Sequence, residues 1–325
     1  MRRWLIPLVA VLTLVSAQPV LAAQPTEGVV RTLVDASGTT CNNPEGIEAS
    51  PDGLLFTAGL SGNVCVYTLA GGLVRVIPIG KGRALLGLMF DRSGKSLYIA
   101  DNSGDFMHGA QVDRLDVASG MVTVLAGGFA NTNAITLDHH GTLFVSDSFA
   151  GAVLKVDPDG GGKTLWKQDT LLMPHGFPPF GANGVAFDRT ESFLYVANTA
   201  DDRILRVAVN ADGSAGAISI FADGTVIDAT TGTTHALDGA DGIQFDVTGN
   251  LYVCANQANE IQVLSPAGAL VARFGHNKGD DPLDFPASPI FHEKGLYISN
   301  LAFGSPGRGG VSVLGVPFTG APIAH

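Results

Sequence analysis

The sequence predicts an all-β chain folded as a six-bladed β-propeller, and three observations carry that prediction. One apolar motif rich in β-branched and aromatic residues recurs six times: LLFTAGL from Leu54, SLYIADN from Ser96, TLFVSDS from Thr142, FLYVANT from Phe193, NLYVCAN from Asn250 and GLYISNL from Gly295. Its aromatic anchors Phe56, Tyr98, Phe144, Tyr195, Tyr252 and Tyr297 stand 42, 46, 51, 57 and 45 residues apart, a period that fits one four-stranded blade. No segment has a helical period, so no helix is expected.

Within each repeat the strands follow in order. The first combines small residues with a polar turn: GIEASPDG, LMFDRSGK, AITLDHHG, GVAFDRTE, GIQFDVTG and PIFHEKG. The recurring motif is the second, where branched and aromatic side chains suit a pleated, half-buried surface. NVCVYTL, QVDRLDV, AVLKVDP, RILRVAV, EIQVLSP and GVSVLGV are the third, and LVRVIPI, MVTVLAG and AISIFAD exemplify the fourth. The sixth repeat reaches His325 without a fourth strand, whereas VVRTLVDA (Val29 to Ala36) has fourth-strand character and precedes the first repeat. Placed on the last blade, it would close the ring and remove two open edges.

Composition narrows the function classes. The chain has 325 residues, 46% hydrophobic and 15% charged, with a net charge of −11, which excludes a disordered acidic tail. No Lys/Arg cluster is present to neutralise phosphates, so neither nucleic acid nor an anionic membrane surface is an expected partner. Residues 1–22 read as an export signal: Arg2 and Arg3, an apolar stretch from Trp4 to Ala17, then a small-residue cleavage site. Gln18 and Pro19 interrupt the stretch before it reaches spanning length, so no membrane anchor is expected. Residues 23–325 then form one propeller domain, secreted or periplasmic, with a cut after Ala23 nearly as good. Cys41 and Cys65 can pair or stay apart, since spacing alone leaves both open, while Cys254 in an apolar strand reads as a buried free thiol.

Aligning the six first strands brings Glu45, Leu86, Asn133, Asn183, Asp241 and Ser288 into one register at one mouth of the channel. Singly, Asn and Asp are ordinary residues where strands begin. Jointly they converge, and two carboxylates facing each other across a narrow channel repel unless a cation or a shared proton separates them. Oxygen donors without His or Cys suit Ca²⁺, Mg²⁺ or Mn²⁺. Small residues follow (Gly46, Ala134, Gly184, Gly242) and permit close approach around the axis.

Three segments, PEGIEASPDG, ANGVAFDRTESFLYVANTADDRILRV and GADGIQFDVTGNLYVCAN, are similar to the SMP-30/gluconolactonase/luciferin-regenerating-enzyme (LRE)-like family of six-bladed propellers. The likeness extends over essentially all of residues 23–325. The resemblance implies a divalent metal held by Glu45, Asn183 and Asp241, with Asp241 also the catalytic general base and Asn133 near metal and substrate. The expected ion is Ca²⁺, with Mn²⁺, Mg²⁺ or Zn²⁺ as alternatives. Sugar-lactonase members often carry an Arg two residues before the blade-three Asn; Asn131 occupies that substrate-binding place here, and Leu86 makes the blade-two side apolar. A less polar lactone or ester is therefore as compatible as gluconolactone. The chemistry fits these residue types: a metal polarises a lactone or ester carbonyl, and a carboxylate beside it deprotonates water. No Gly-x-Ser-x-Gly elbow is present for a serine nucleophile. The expected function is thus a metal-dependent hydrolase of a small-molecule lactone or ester, with a non-catalytic propeller that binds a ligand or protein as the alternative.

Three long loops, DNSGDFMHGAQ, LLMPHGFPPFGA and DGTVIDATTGTTHALDGA, are expected at the same mouth, with Phe106, Phe177 and Phe180 as an apolar wall. His108, His175 and His235 lie in these loops and read as surface histidines, although proton transfer is open to them. Asn198, Asn256 and Asn300 read as strand caps.

Overall fold

A computed structural model describes residues 25–275 and 282–322; the export-signal segment 1–22 lies outside them. These residues form six four-stranded sheets, antiparallel throughout the pairings seen. The first strands are Pro44–Ala49, Arg83–Phe90, Thr132–Leu137, Ala182–Phe187, Ala240–Phe245 and Pro286–His292. They contact one another in that cyclic order, closing a ring around a channel. The chain is a six-bladed β-propeller. In the sixth sheet the outermost strand is Val30–Asp35, which runs antiparallel to Gly310–Gly315.

The recurring aromatic anchor has a packing role. Phe56, Phe144, Tyr195 and Tyr252 each meet, edge to face at 4.9–5.1 Å, the phenylalanine near the end of the next blade's first strand: Phe90, Phe187, Phe245 and Phe291. Such pairs contribute about 0.5–1.5 kcal/mol each beyond their buried area. Six apolar clusters result, each wedged between neighbouring blades rather than at one common centre. On the channel side the strands nearly touch. A methyl group at Gly46, Gly87, Gly184 or Gly242 would collide with the backbone of Leu86, Asn133, Asp241 or Ala287 on the following blade. Those glycines hold the ring positions close together at the mouth.

Two expectations need correction. Gly224–Thr231 is a helix, with Asp223 Oδ1 accepting from Thr225 N and Val226 N at its start and Gly232 at φ 73° ending it. A short 3₁₀ turn also forms at Thr170–Leu172. The helix spans eight residues and buries only Gly224 and Ile227, too little for a periodic signal; its cap and its terminating glycine were the readable signs. The second correction concerns register. Pro286 pairs with Asn300 as Ala182 pairs with Asn198 and Ala240 with Ala255, so the sixth ring member is Ala287, and Ser288 lies one place further along. Cys41 and Cys65 form a disulfide, and Cys254 is free and buried. Among the described residues no helix is long and apolar enough to cross a membrane.

Candidate active site

A cavity opens at the mouth where the first strands begin. Its polar lining is Glu45, Asn133, Asn183 and Asp241 from four first strands, with Thr199 and Asn256 from just beyond two second strands. The shared register therefore does bring the four oxygen-bearing ring residues to one place. All four are buried, and no Lys, Arg or His lines the cavity.

A second tier of side chains fixes the first. On blades two, three and four the residue four places after the aromatic anchor ties its own blade to the next: Asn102 Nδ2 donates to Thr132 O, Ser148 Oγ to Ala182 O and Thr199 Oγ1 to Ala240 O, each at 2.7 Å. Two of these hydroxyls also accept from a ring amide, Ser148 from Asn133 Nδ2 at 3.1 Å and Thr199 from Asn183 Nδ2 at 2.8 Å. A hydroxyl has one proton, and a backbone carbonyl can only accept. Each hydroxyl must therefore face the amide nitrogen, which settles the amide orientation and leaves Oδ1 of Asn133 and Asn183 for the cavity side. From blade six, Ser299 Oγ donates to the carbonyl of Glu45 on blade one and anchors its backbone.

On blade five the same position is Asn256, whose Nδ2 donates to Asp241 Oδ2 at 2.9 Å. Asn256 was read as a strand cap; it is instead the orienting partner of Asp241, and its place in the register with Ser148 and Thr199 was the available signal. Asn198 does act as a cap, donating to Leu171 O and Met173 O. Asn300 bridges Ser312 Oγ and Asp284 N.

Three buried acceptor oxygens at the site have no partner: Glu45 Oε2, Asp241 Oδ1 and Asn256 Oδ1. Leaving such groups unsatisfied costs about 1–3 kcal/mol each, more for charged ones. Burial, and then the Asp241 charge, hold the Glu45 carboxyl well above the usual carboxylate range. Burial likewise raises Asp241, to about 7, against the lowering effect of the hydrogen bond from Asn256. Two acids crowded without a counter-charge, among oxygens without donors, make an arrangement that a hard cation satisfies. Among the described residues no three His, Cys, Asp or Glu side chains gather at one point, so an ion here would rest on amide as well as carboxylate oxygens.

Other expected site residues lie elsewhere. Asn131 is 0% exposed and does not line the cavity; its amide nitrogen approaches Asn102 Oδ1 at 3.4 Å. Its backbone N–H donates to Asp147 Oδ1 at 2.9 Å. His108, His175 and His235 pair with Asp105, Asp201 and Asp238 at 2.9–3.2 Å and also stay outside the lining. Phe106 and Phe180 line the cavity as expected, whereas Phe177 is 75% exposed and Pro178 takes its place. Phe285 and Phe303 of blade six, absent from the sequence reading, complete the wall.

Comparison with known proteins agrees with the fold. The family model described as SMP-30/Gluconolactonase/LRE-like region matches residues 178–301. That stretch contains Asn183, Asp241 and Asn256 together with two of the three segments that carry the resemblance; Glu45 lies before it. No curated protein matches the sequence significantly. Among solved structures, a gluconolactonase from Xanthomonas campestris superposes with a TM-score of 0.65 at 20% identity, covering 93% of this chain and 94% of that one. A calcium-binding regucalcin from Agrobacterium tumefaciens gives 0.64 at 18%, covering 88% and 95%. A luciferin-regenerating enzyme gives 0.66 at 14%, covering 90% and 97%. At these identities the likeness establishes the propeller fold.

Proposed function

We propose that this chain is an exported, divalent-metal-dependent hydrolase that opens a lactone or related ester. One observation carries the reading: the partnerless buried oxygens of Glu45 and Asp241 converge with the amides of Asn183 and Asn133 at the channel mouth. Glu45, Asn183 and Asp241 would hold the ion, with Asn256 Oδ1 a further oxygen within the set. When bound, the ion supplies Lewis-acid polarisation of the carbonyl.

The chain's own residues do the rest. Asn256 holds Asp241 by Oδ2 and so fixes the carboxylate that would take a proton from the attacking water. A carboxylate placed beside the attacking water can accept that proton and return it to the leaving alkoxide. Ser148 fixes the Asn133 amide so that its oxygen can orient the substrate. The family match and the gluconolactonase likeness support lactonase chemistry, the likeness to a calcium-binding regucalcin supports a divalent ion, and the Cys41–Cys65 disulfide supports export to an oxidising compartment.

The test is a panel of lactones and aryl esters assayed with Ca²⁺, Mn²⁺, Mg²⁺ and Zn²⁺. Turnover that disappears in Asp241→Asn while the melting profile stays cooperative supports the proposal. Wild-type protein that binds metal yet hydrolyses nothing in the panel would move the reading to a ligand-binding propeller.

A further inference from the structure

The cavity has two unlike halves. Polar ring and second-tier residues come from blades three, four and five, and Glu45 alone joins them from blade one. Opposite stands an apolar arc. Leu60 and Leu301 occupy, on blades one and six, the second-tier position that is polar on the other four blades, and Leu86 occupies the ring position of blade two. Above them lie Phe106, Phe180, Phe285 and Phe303. These rings brace one another: Phe106 meets Phe180 edge-on at 6.1 Å, Phe149 backs Phe180 at 5.4 Å, and Phe285 stacks on Phe303 at 5.2 Å.

From this we infer that the substrate is a lactone or ester bearing an extended apolar substituent, alkyl or aryl, and not a polyhydroxylated sugar lactone. The inference rests on the hydrolase reading and deepens it. Hydroxyl groups on the ring of a sugar lactone would lie against leucine and phenylalanine with no donor or acceptor to replace water, because every polar lining group belongs to the ring or its second tier. Each hydroxyl so stranded lowers affinity by about tenfold. A methylene buried on the same wall raises it by about fourfold. A carboxylate or phosphate substituent is equally disfavoured, since the cavity holds two acids and no basic side chain. The apolar surface also continues outward. Phe303 is 46% exposed, and Met107, next to Phe106, is 66% exposed, so a substituent longer than the cavity still finds apolar contact at the rim.

The experiment uses the protein of residues 23–325 with added divalent metal. It compares γ-lactones of increasing alkyl length, phenyl esters and glucono-δ-lactone. The expected result is a rise in kcat/KM of about fourfold per added methylene until the chain passes the rim, carried mostly by KM, with glucono-δ-lactone at least a hundredfold poorer than the longest alkyl lactone. Phe303→Ala, at a half-exposed position whose loss the fold tolerates, should reduce the slope and cut the long-chain rate by about tenfold. Leu86→Asn should narrow the gap between alkyl and sugar substrates. A flat chain-length series, or preference for glucono-δ-lactone, overturns this inference while leaving the hydrolase reading in place. No turnover of any substrate with any metal overturns the hydrolase reading, and the inference falls with it.

Discussion

The hydroxyl of Thr199 accepts a hydrogen bond from the side-chain amide of Asn183 at 2.8 Å while donating to the carbonyl of Ala240 at 2.7 Å. One side chain thus couples blade four to blade five at the residue before Asp241 and also decides which atom Asn183 offers the cavity. Thr199→Val keeps the shape and removes both bonds. The amide is then free to flip, and divalent-ion affinity measured by calorimetry should fall about 10–100-fold, the usual cost of losing a partner behind a metal ligand. Thr199→Ser keeps the hydroxyl and should stay close to wild type. Equal affinity in wild type and Thr199→Val would refute the orienting role.

Asn256 acts on the proposed base. Its amide nitrogen is 2.9 Å from Asp241 Oδ2, and Gly239 (φ 69°) packs so close to its Oδ1 that a methyl group there would collide. Asn256→Leu should lower kcat by about 10–100-fold, by the same logic of a lost orienting partner, with KM changed much less, because Asp241 loses its aim and not its chemistry. If KM rises while kcat holds, Asn256 is a substrate contact instead.

How much of this was legible in the sequence follows from how local each feature is. The blades were readable because each aromatic anchor packs against the next blade, so packing imposes a repeating residue at a repeating place. The ring of Glu45, Asn133, Asn183 and Asp241 was readable for the same reason. It failed at blade six, where the correct residue, Ala287, has no polar side chain to mark the register. Asn256 was readable from the register it shares with Ser148 and Thr199, whereas the role of Asn131 was not, because it depends on contacts with Asp147 and Asn102 from outside its own strand. Phe285 and Phe303 escaped because they sit in connections outside the repeat.

Glu48 offers a test of burial at the other end of the channel. It is buried, its Oε1 accepts only the neighbouring Ala49 N–H at 2.9 Å, and burial pushes its carboxyl up to about 8. In the unfolded chain the same group titrates near 4.5. Between those values the folded state binds the extra proton, so stability from this residue is fully present below pH 4.5 and is lost as pH rises toward 8. Glu48→Gln removes the penalty and should raise stability at pH 8 by on the order of 3 kcal/mol, with little change at pH 4.5. Denaturant melts at the two pH values decide it; equal shifts at both would mean that Glu48 is not buried as a neutral acid.

The proposed export makes a prediction about the covalent chain. The protein recovered outside the cytoplasm should begin at Ala23 or Gln24, because small residues precede both cuts. N-terminal sequencing of that material checks it. An intact Met1 on membrane-associated protein would contradict cleavage.

The proposed metal should also act as a clasp. Glu45 and Asp241 come from blades one and five, and without a cation their buried carboxyls can only hold protons or repel. An ion bound by the folded state alone stabilises it by about 2.7 kcal/mol when the free ion is 100 times its dissociation constant. For a domain of this length, with about 2.1 cal/mol/K of unfolding entropy per residue, that corresponds to roughly 4 °C in Tm. Chelation should therefore lower Tm by about that amount, and Ca²⁺ or Mn²⁺ should restore it. Glu45→Gln should shrink the shift, and Glu45→Gln combined with Asp241→Asn should abolish it, because both charged ligands are gone. Affinity should fall as the solution is acidified, since protons and the cation compete for the same oxygens. Demetallated protein that shows neither heat of binding nor a thermal shift with any divalent ion would leave those oxygens to be satisfied by shared protons, and the hydrolase reading would lose its principal support.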